Sequence, residues 1–348
     1  MGISSIENLT SSLVSTVINI QGNLDNQGTI TETSSGAGTI TFNGTVSQNF
    51  VNAGVINNSI HYVINADATV TAQGESAFTG QSLTVSGTLQ LQSTNSTGAL
   101  VLGTGTGNVR TTSRTFNAGA TIVYSGASAQ FVGNGHPITN GVHMTVNNAS
   151  GVTFNTGTSG NNGSQNLVIG GDLNLQNGNL SIASTGTPRN LSLGGIVSGT
   201  GSVSASGANV NLTFLGTGVN GDFPNINGQS FRSVTVNRPN GGVTFSQGCT
   251  VAIFTDVQTG TLQLAGTTQL VGAVTLGATA DLVFENTALT MGNNFTSVAG
   301  GELHSNSNSS LTLTGGVILT SHLTFAPSAN TLGNLILNKT NGGTSVVI

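Results

Sequence analysis

The chain has 348 residues, enough for two or three ordinary globular domains or for one elongated solenoid. Charged residues are 5% of it, against roughly 25% in an average soluble protein, and its six basic residues (Arg110, Arg114, Arg189, Arg232, Arg238 and Lys339) stand singly, which argues against phosphate neutralisation and hence nucleic-acid binding. A single cysteine, Cys249, excludes an intrachain disulfide framework, and no stretch reaches the roughly 18–20 apolar residues of a membrane helix.

The first residues, Met1-Gly2-Ile3-Ser4-Ser5-Ile6-Glu7, lack the basic region and continuous apolar core of a signal peptide. Ile6, Leu9, Leu13 and Val14 give the chain's only hint of helical spacing, and residues 1–17 read as an N-terminal cap or linker. From Ile18 onward, Val, Ile and Leu alternate with Thr, Ser and Asn, the period-2 pattern of half-buried strands. Strand blocks come in three kinds. The first is an apolar-x-apolar-x-Gly strand with leucine alternation behind it, as in Ile18-Asn-Ile20-Gln-Gly22-Asn-Leu24, Leu83-Thr-Val85-Ser-Gly87-Thr-Leu89-Gln-Leu91 and Leu167-Val-Ile169-Gly-Gly171-Asp-Leu173-Asn-Leu175.

The second kind is an opener that closes on glycine: Ile40-Thr-Phe42-Asn-Gly44, Ile122-Val-Tyr124-Ser-Gly126, Leu212-Thr-Phe214-Leu-Gly216 and Leu311-Thr-Leu313-Thr-Gly315. The third is a strand ending on Asn65, Asn147, Asn237 or Asn338, followed in the last three cases by a glycine turn: Gly151, Gly241-Gly242 and Gly342-Gly343. Counted from Phe42, Tyr124, Phe214 and Leu313 to these asparagines, the gaps are 23, 23, 23 and 25 residues, while the asparagines themselves are 82, 90 and 101 apart. A near-constant short gap inside a growing long one is the mark of a repeat architecture whose loops lengthen.

Two all-β folds fit. A right-handed parallel β-helix would coil short strands into rungs about 4.8 Å apart, at roughly 20 residues per rung, so each unit would hold four or five rungs. Tandem Ig-like sandwiches would also give units of about 90–100 residues. The chain has no Trp, only two tyrosines (Tyr62 and Tyr124) and no proline-marked linker, all of which favour the β-helix. The expected organisation is a continuous solenoid over 18–348, with units near 18–72, 73–156, 157–247 and 248–348. The final unit breaks off at Ser345-Val346-Val347-Ile348, where a strand would continue, so the chain reads as a segment of something longer.

Leu212-Thr-Phe214-Leu-Gly216-Thr-Gly218, the run from Ser233 to Phe245 and the run from Asn190 to Gly201 resemble the low-charge repeats of large secreted bacterial surface proteins, of the Bacteroidota type exported by the type IX route. The resemblance covers the chain from about Ile18 to its end, and the C-terminal sorting domain of that group is missing. It implies an extracellular, cell-surface structural or adhesive segment: a stalk, fibre or adhesin scaffold, as in cell adhesion and gliding motility. The implied partners are other copies or neighbouring segments of the same long polypeptide, with surface glycans or the secretion machinery as further candidates.

Chemistry is sparse. The 11 acidic residues are spread out, and only Asp281 and Glu285 lie close in sequence. At i and i+4 on a strand they share a face about 13 Å apart, beyond the separation of glycosidase carboxylate pairs. Asp172 and Asp256 occupy corresponding positions of neighbouring units, hence distant rungs. His61, His136, His143, His304 and His322 form a metal site only if the fold converges them, since no HExxH or CxxC spacing occurs. His136 reads as a turn histidine and His143 as a strand-edge histidine, neither with a carboxylate near in sequence.

Gly103-Thr-Gly105-Thr-Gly107 and Gly199-Thr-Gly201 lack the following helix that a phosphate loop needs and read as turns. The Asp-dense nonapeptides of calcium-binding β-rolls are missing, and the sequons at Asn211 and Asn294 are expected from composition alone. Cys249 reads as a buried small hydrophobe beside Val251. No catalytic, cofactor or metal residue is assigned, and the expectation is a non-enzyme. The alternatives are a carbohydrate-active β-helix lyase or hydrolase, whose acids would converge from successive rungs, and an ice-binding face of aligned threonines.

Overall fold

The computed structural model describes residues 2–3, 10–11, 14–32, 37–57, 59–102, 105–154, 166–182, 186–205, 209–216, 223, 226, 228–315 and 322–339. The described residues form strands and turns without a helix, and their strands stack in parallel as a β-solenoid. Parallel pairing excludes tandem Ig-like sandwiches, whose sheets are antiparallel. The one antiparallel pair among the described residues, Thr10–Ser11 with Val14–Ser15, lies in the segment that hinted at a helix. Val14 is in that strand, while Ile6, Leu9 and Leu13 lie outside the described residues, as do Gly103, Gly218, Gly342, Gly343 and the final strand from Ser345.

The chain divides into two compact units, Met1–Leu180 and Ser181–Ile348. In the first, one sheet stacks Val17–Ile20, Gly38–Phe42, Ile60–Ile64, Phe78–Val85 and Val109–Phe116. A second stacks Leu24–Asn26, Gln48–Asn52, Thr69–Gln73, Thr88–Leu91, Thr121–Tyr124, His143–Asn147 and Leu173–Asn177. In the second unit the coil is clearest around Thr250–Leu264. Its three stretches pair with three parts of the next coil: Val251 with Leu270, Val257 with Leu276 and Leu262 with Leu282. A further coil sets Met291 beside Leu270, Phe295 beside Val274 and Leu303 beside Leu282.

These registers explain the signature spacing. Phe42 lies opposite Ile64, Tyr124 opposite Val146, Phe214 opposite Val236 and Leu313 opposite Leu337. Each opener and its asparagine-ended strand are therefore neighbours on successive coils, and the gap counts one turn plus one residue. The longer intervals between asparagines contain turns without the signature. Loop growth falls inside a turn: Leu91 pairs with Tyr124, and the added length between them carries Ser93 to Asn108.

Alternation places one apolar side chain per turn on each inward ladder, because neighbouring parallel strands repeat the same face. Leu24, Phe50, Ala72, Leu91, Tyr124 and Val146 make such a ladder, all fully buried. Two of the opener aromatics, Phe42 and Phe214, anchor ring clusters in the interior of their units. Phe42 meets Phe50 and Phe78 at centroid distances of 5.6 and 6.1 Å, and Phe214 meets Phe223 and Phe245 at 5.3 and 6.0 Å. Offset and edge-on ring pairs of this kind add about 0.5–1.5 kcal/mol each beyond the area they bury.

Buried side-chain donors collect backbone carbonyls at the corners, including some that also accept a backbone N–H, as Ile20 O does from Asn43 and Leu91 O from Ser125. Gln48 donates its amide to Ile20 O (2.8 Å) and Gly22 O (2.7 Å) while its Oε1 accepts from Gly44 N–H (3.0 Å). Gln130 repeats the pattern with Leu91 O, Ser93 O and Gly126 N–H at 2.9, 3.0 and 2.7 Å. Asn108 does the same for Ala72 O and Gly74 O. In the second unit the collector is Arg238, which donates to Leu193 O, Gly195 O, Leu215 O and Gly242 O. The glycines of the first two openers make room for this: a Cβ on Gly44 would sit 2.4 Å from Gln21 O, and one on Gly126 would sit 2.7 Å from the Gln130 side chain.

Candidate functional site

The outward ladders are neutral for most of their length. Facing positions on successive coils join by side-chain hydrogen bonds: Thr71 to Gln90 at 3.0 Å, Asn211 to Asn190 at 2.7 Å and Thr244 to Gln263 at 3.2 Å. The group around Asp281 departs from this. Asp281 on Ala273–Val283 stands opposite Glu302 on Glu302–Ser305, and His304 follows two residues on, facing outward beside Glu302. His304 Nε2 lies 3.2 Å from Asp281 Oδ1 and 3.9 Å from Glu302 Oε2, and one ligand atom from each of the three groups lies within 4.8 Å of the others. All three are half-buried, with side-chain exposures of 24% for His304, 38% for Asp281 and 32% for Glu302.

Asp281 also lines a polar groove of about 570 Å³ with Pro239, Asn240, Gly241, Gly260, Thr261 and Thr279. The acid that sequence spacing paired with Asp281 was Glu285, four residues along the strand. The partners found in space are instead Glu302 and His304, one turn later, because a parallel coil brings together residues about 20 apart rather than 4 apart. Glu285 is exposed and outside this group, and Asp256 accepts a hydrogen bond from Gln258 at 2.8 Å on its own strand.

The fold brings Asp172, far along the sequence, to His143: Nδ1 lies 3.3 Å from Asp172 Oδ2. The same Nδ1 accepts the Asp172 backbone N–H at 2.9 Å, so it carries no proton toward the carboxylate. His61 Nδ1 sits 2.6 Å from Ser82 Oγ, and among the described residues no ion pair holds His61 as a triad acid would. His322 is exposed.

His136 lies between strands, as a turn histidine would, but it is buried: it is 2% exposed and stacked on Tyr124 at a centroid distance of 6.5 Å, with Tyr124 Oη 3.4 Å from its Nδ1. Burial lowers its pKa to about 4, so the ring is neutral at pH 7. It lines a pocket of about 240 Å³ with Arg114, Phe116 and Leu102 among others. Arg114 takes the inward ladder position held on preceding coils by Ile40, Tyr62 and Leu83. Its guanidinium donates to Val101 O, Val109 O and Thr111 O, and burial lowers it to about 10. These bonds make it a collector of carbonyls, like Arg238, rather than a ligand-binding cation.

Comparison with family models, with curated proteins and with solved structures gave no match for this chain.

Cys249 is 3% exposed and burial pushes its thiol up to about 12, the unreactive condition of a core cysteine. Gly199 ends the strand Val197–Gly199 and another strand, Ser202–Ala205, follows, so that glycine pair is a turn. Both tyrosines are fully buried and donate no ring to the surface. Threonines do align over several coils, as Thr213, Thr235, Thr275 and Thr296, yet Asp256 interrupts them and Phe254 stands on the same face.

Proposed function

We propose that this chain is a segment of an extracellular structural or adhesive scaffold, a stalk or fibre component whose work is mechanical. The observation that carries this reading is the collection of corner carbonyls by Gln48, Gln130, Asn108 and Arg238. Each ties a turn of the coil to its predecessors through backbone atoms, so that resistance to pulling is distributed over many hydrogen bonds. A surface of Thr, Asn and Gln pairs with 5% charged residues suits such a role, since its contacts are insensitive to salt. The resemblance of the repeats to secreted surface proteins supports the location.

Antibody labelling of intact and permeabilised source cells tests the placement. Signal on intact cells is expected; signal only after permeabilisation overturns it. The second reading, a carbohydrate-active β-helix enzyme, is favoured by one observation, the position of Asp281 in both the polar groove and the carboxylate–histidine group. Release of reducing or unsaturated ends from acidic polysaccharides, lost in D281N, would establish that reading in place of the scaffold.

A further inference from the structure

We propose that Asp281, Glu302 and His304 form a binding site for a divalent transition-metal ion of the zinc class that staples two successive turns of the coil. Three observations converge on it. The first is geometry. Zinc bonds to nitrogen and oxygen of about 2.0–2.2 Å place tetrahedral ligands about 3.3–3.6 Å apart. The separations of 3.2 and 3.9 Å from His304 Nε2 to the two carboxylates bracket that edge, so small side-chain movements bring all three onto one ion.

The second is charge. The chain has 11 acidic residues in 348, yet two of them occupy directly opposed positions of a parallel pair, where like charges repel. The equivalent opposed positions elsewhere carry neutral hydrogen-bonding pairs such as Thr71–Gln90 and Asn190–Asn211. A cation between Asp281 and Glu302 turns the repulsion into an attraction and accounts for an opposed acidic pair that has no counterpart among the described residues.

The third is the donor set. One imidazole with two carboxylates suits zinc and its neighbours in the transition series, whereas calcium takes six to eight oxygens. Asp281 comes from one coil and Glu302 with His304 from the next, so the ion would cross-link coils that otherwise meet through backbone hydrogen bonds and ladder packing. Three protein ligands leave one position to water.

The test uses the full chain stripped with chelator and titrated calorimetrically with Zn²⁺, beside the variants D281N, E302Q and H304Q, each checked for its β-sheet circular dichroism. The expected result is one equivalent bound by the parent and a rise in its unfolding temperature. Each variant should lose affinity by about 100-fold or more, above the 10–100-fold that loss of a supporting residue costs. H143Q, which alters the Asp172 pair, should bind as the parent does. Absence of binding by the parent, or equal affinity in the three folded variants, overturns the proposal. Mg²⁺ or Ca²⁺ binding as tightly as Zn²⁺ overturns the assigned metal class.

Discussion

The side-chain amide of Gln130 donates to the backbone carbonyl of Leu91, 2.9 Å away and on the preceding coil. Gln48 makes the same bond to Ile20, at a corner formed by a different pair of sheets. In both, the opener glycine four residues earlier supplies the N–H that holds the amide in place. The two glutamines are fully buried, and Gln130 Oε1 accepts the Asn148 side-chain amide as well, at 3.0 Å.

Replacing Gln130 with methionine keeps the volume and removes the donors and the acceptor. Ser93 O and Gly126 N–H then lose their partner, while Leu91 O keeps the Ser125 N–H at 3.0 Å, and the expected destabilisation is about 2–6 kcal/mol at roughly 1–3 per buried unsatisfied group. Q90M, on the outward face, should cost under about 0.5 kcal/mol. Denaturant midpoints of the two variants, read beside the parent, decide this; equal shifts would mean that Gln130 is not a collector.

Arg238 is 2% exposed and its four acceptors are backbone carbonyls spread over three coils, with Phe214 beneath its guanidinium at 5.4 Å. Burial lowers its pKa. R238M should therefore cost on the order of 3–5 kcal/mol, and R238K most of that, because a single ammonium cannot reach a fan of four acceptors. R232M, on a half-exposed side chain of the same strand, is the control and should be nearly silent. Chemical denaturation followed by circular dichroism gives the comparison.

His136 makes the first unit sensitive to mild acid. Its pKa is depressed from 6.5 to about 4, so the unfolded chain binds a proton that the folded chain refuses between those values. The stabilisation is complete above pH 6.5 and declines as pH falls toward 4. Its full size is on the order of 3 kcal/mol. H136Q, which cannot titrate, should remove this part of the pH dependence; a parent and variant with parallel stability–pH curves over pH 4–6.5 would contradict the burial of a neutral imidazole.

How far the fold was legible follows from what repeats. Period-2 alternation from Ile18 onward and the absence of Trp led to the parallel β-helix, and the 23-residue gap from Phe42 to Asn65 was visible as a constant. Its meaning was not, since a gap becomes a coil only when Phe42 is seen beside Ile64. The shared phrase of glycine followed by glutamine at the fourth place, Gly44 to Gln48 and Gly126 to Gln130, stands in the letters, but nothing in them says that the glutamine turns inward. Its third counterpart is Arg238, far from its opener in sequence, so no local pattern links them. The Asp281 group was hidden for the same reason. Glu302 and His304 stand about one coil from Asp281, and coil length varies enough that register had to be seen rather than counted.

The account rests on the claim that one signature gap is one turn of a stacked coil. Deleting residues 43–64 removes one full turn, joining Phe42 to Asn65 with the ladders in phase; deleting residues 43–53 removes half a turn and throws every later ladder out of phase. The measurement is cooperative unfolding of both variants, followed by far-ultraviolet circular dichroism. The full-turn deletion should keep a β-sheet spectrum and a cooperative transition, and the half-turn deletion should lose both in the first unit. Loss of folding in the full-turn variant, or equal tolerance of the two deletions, would contradict the account.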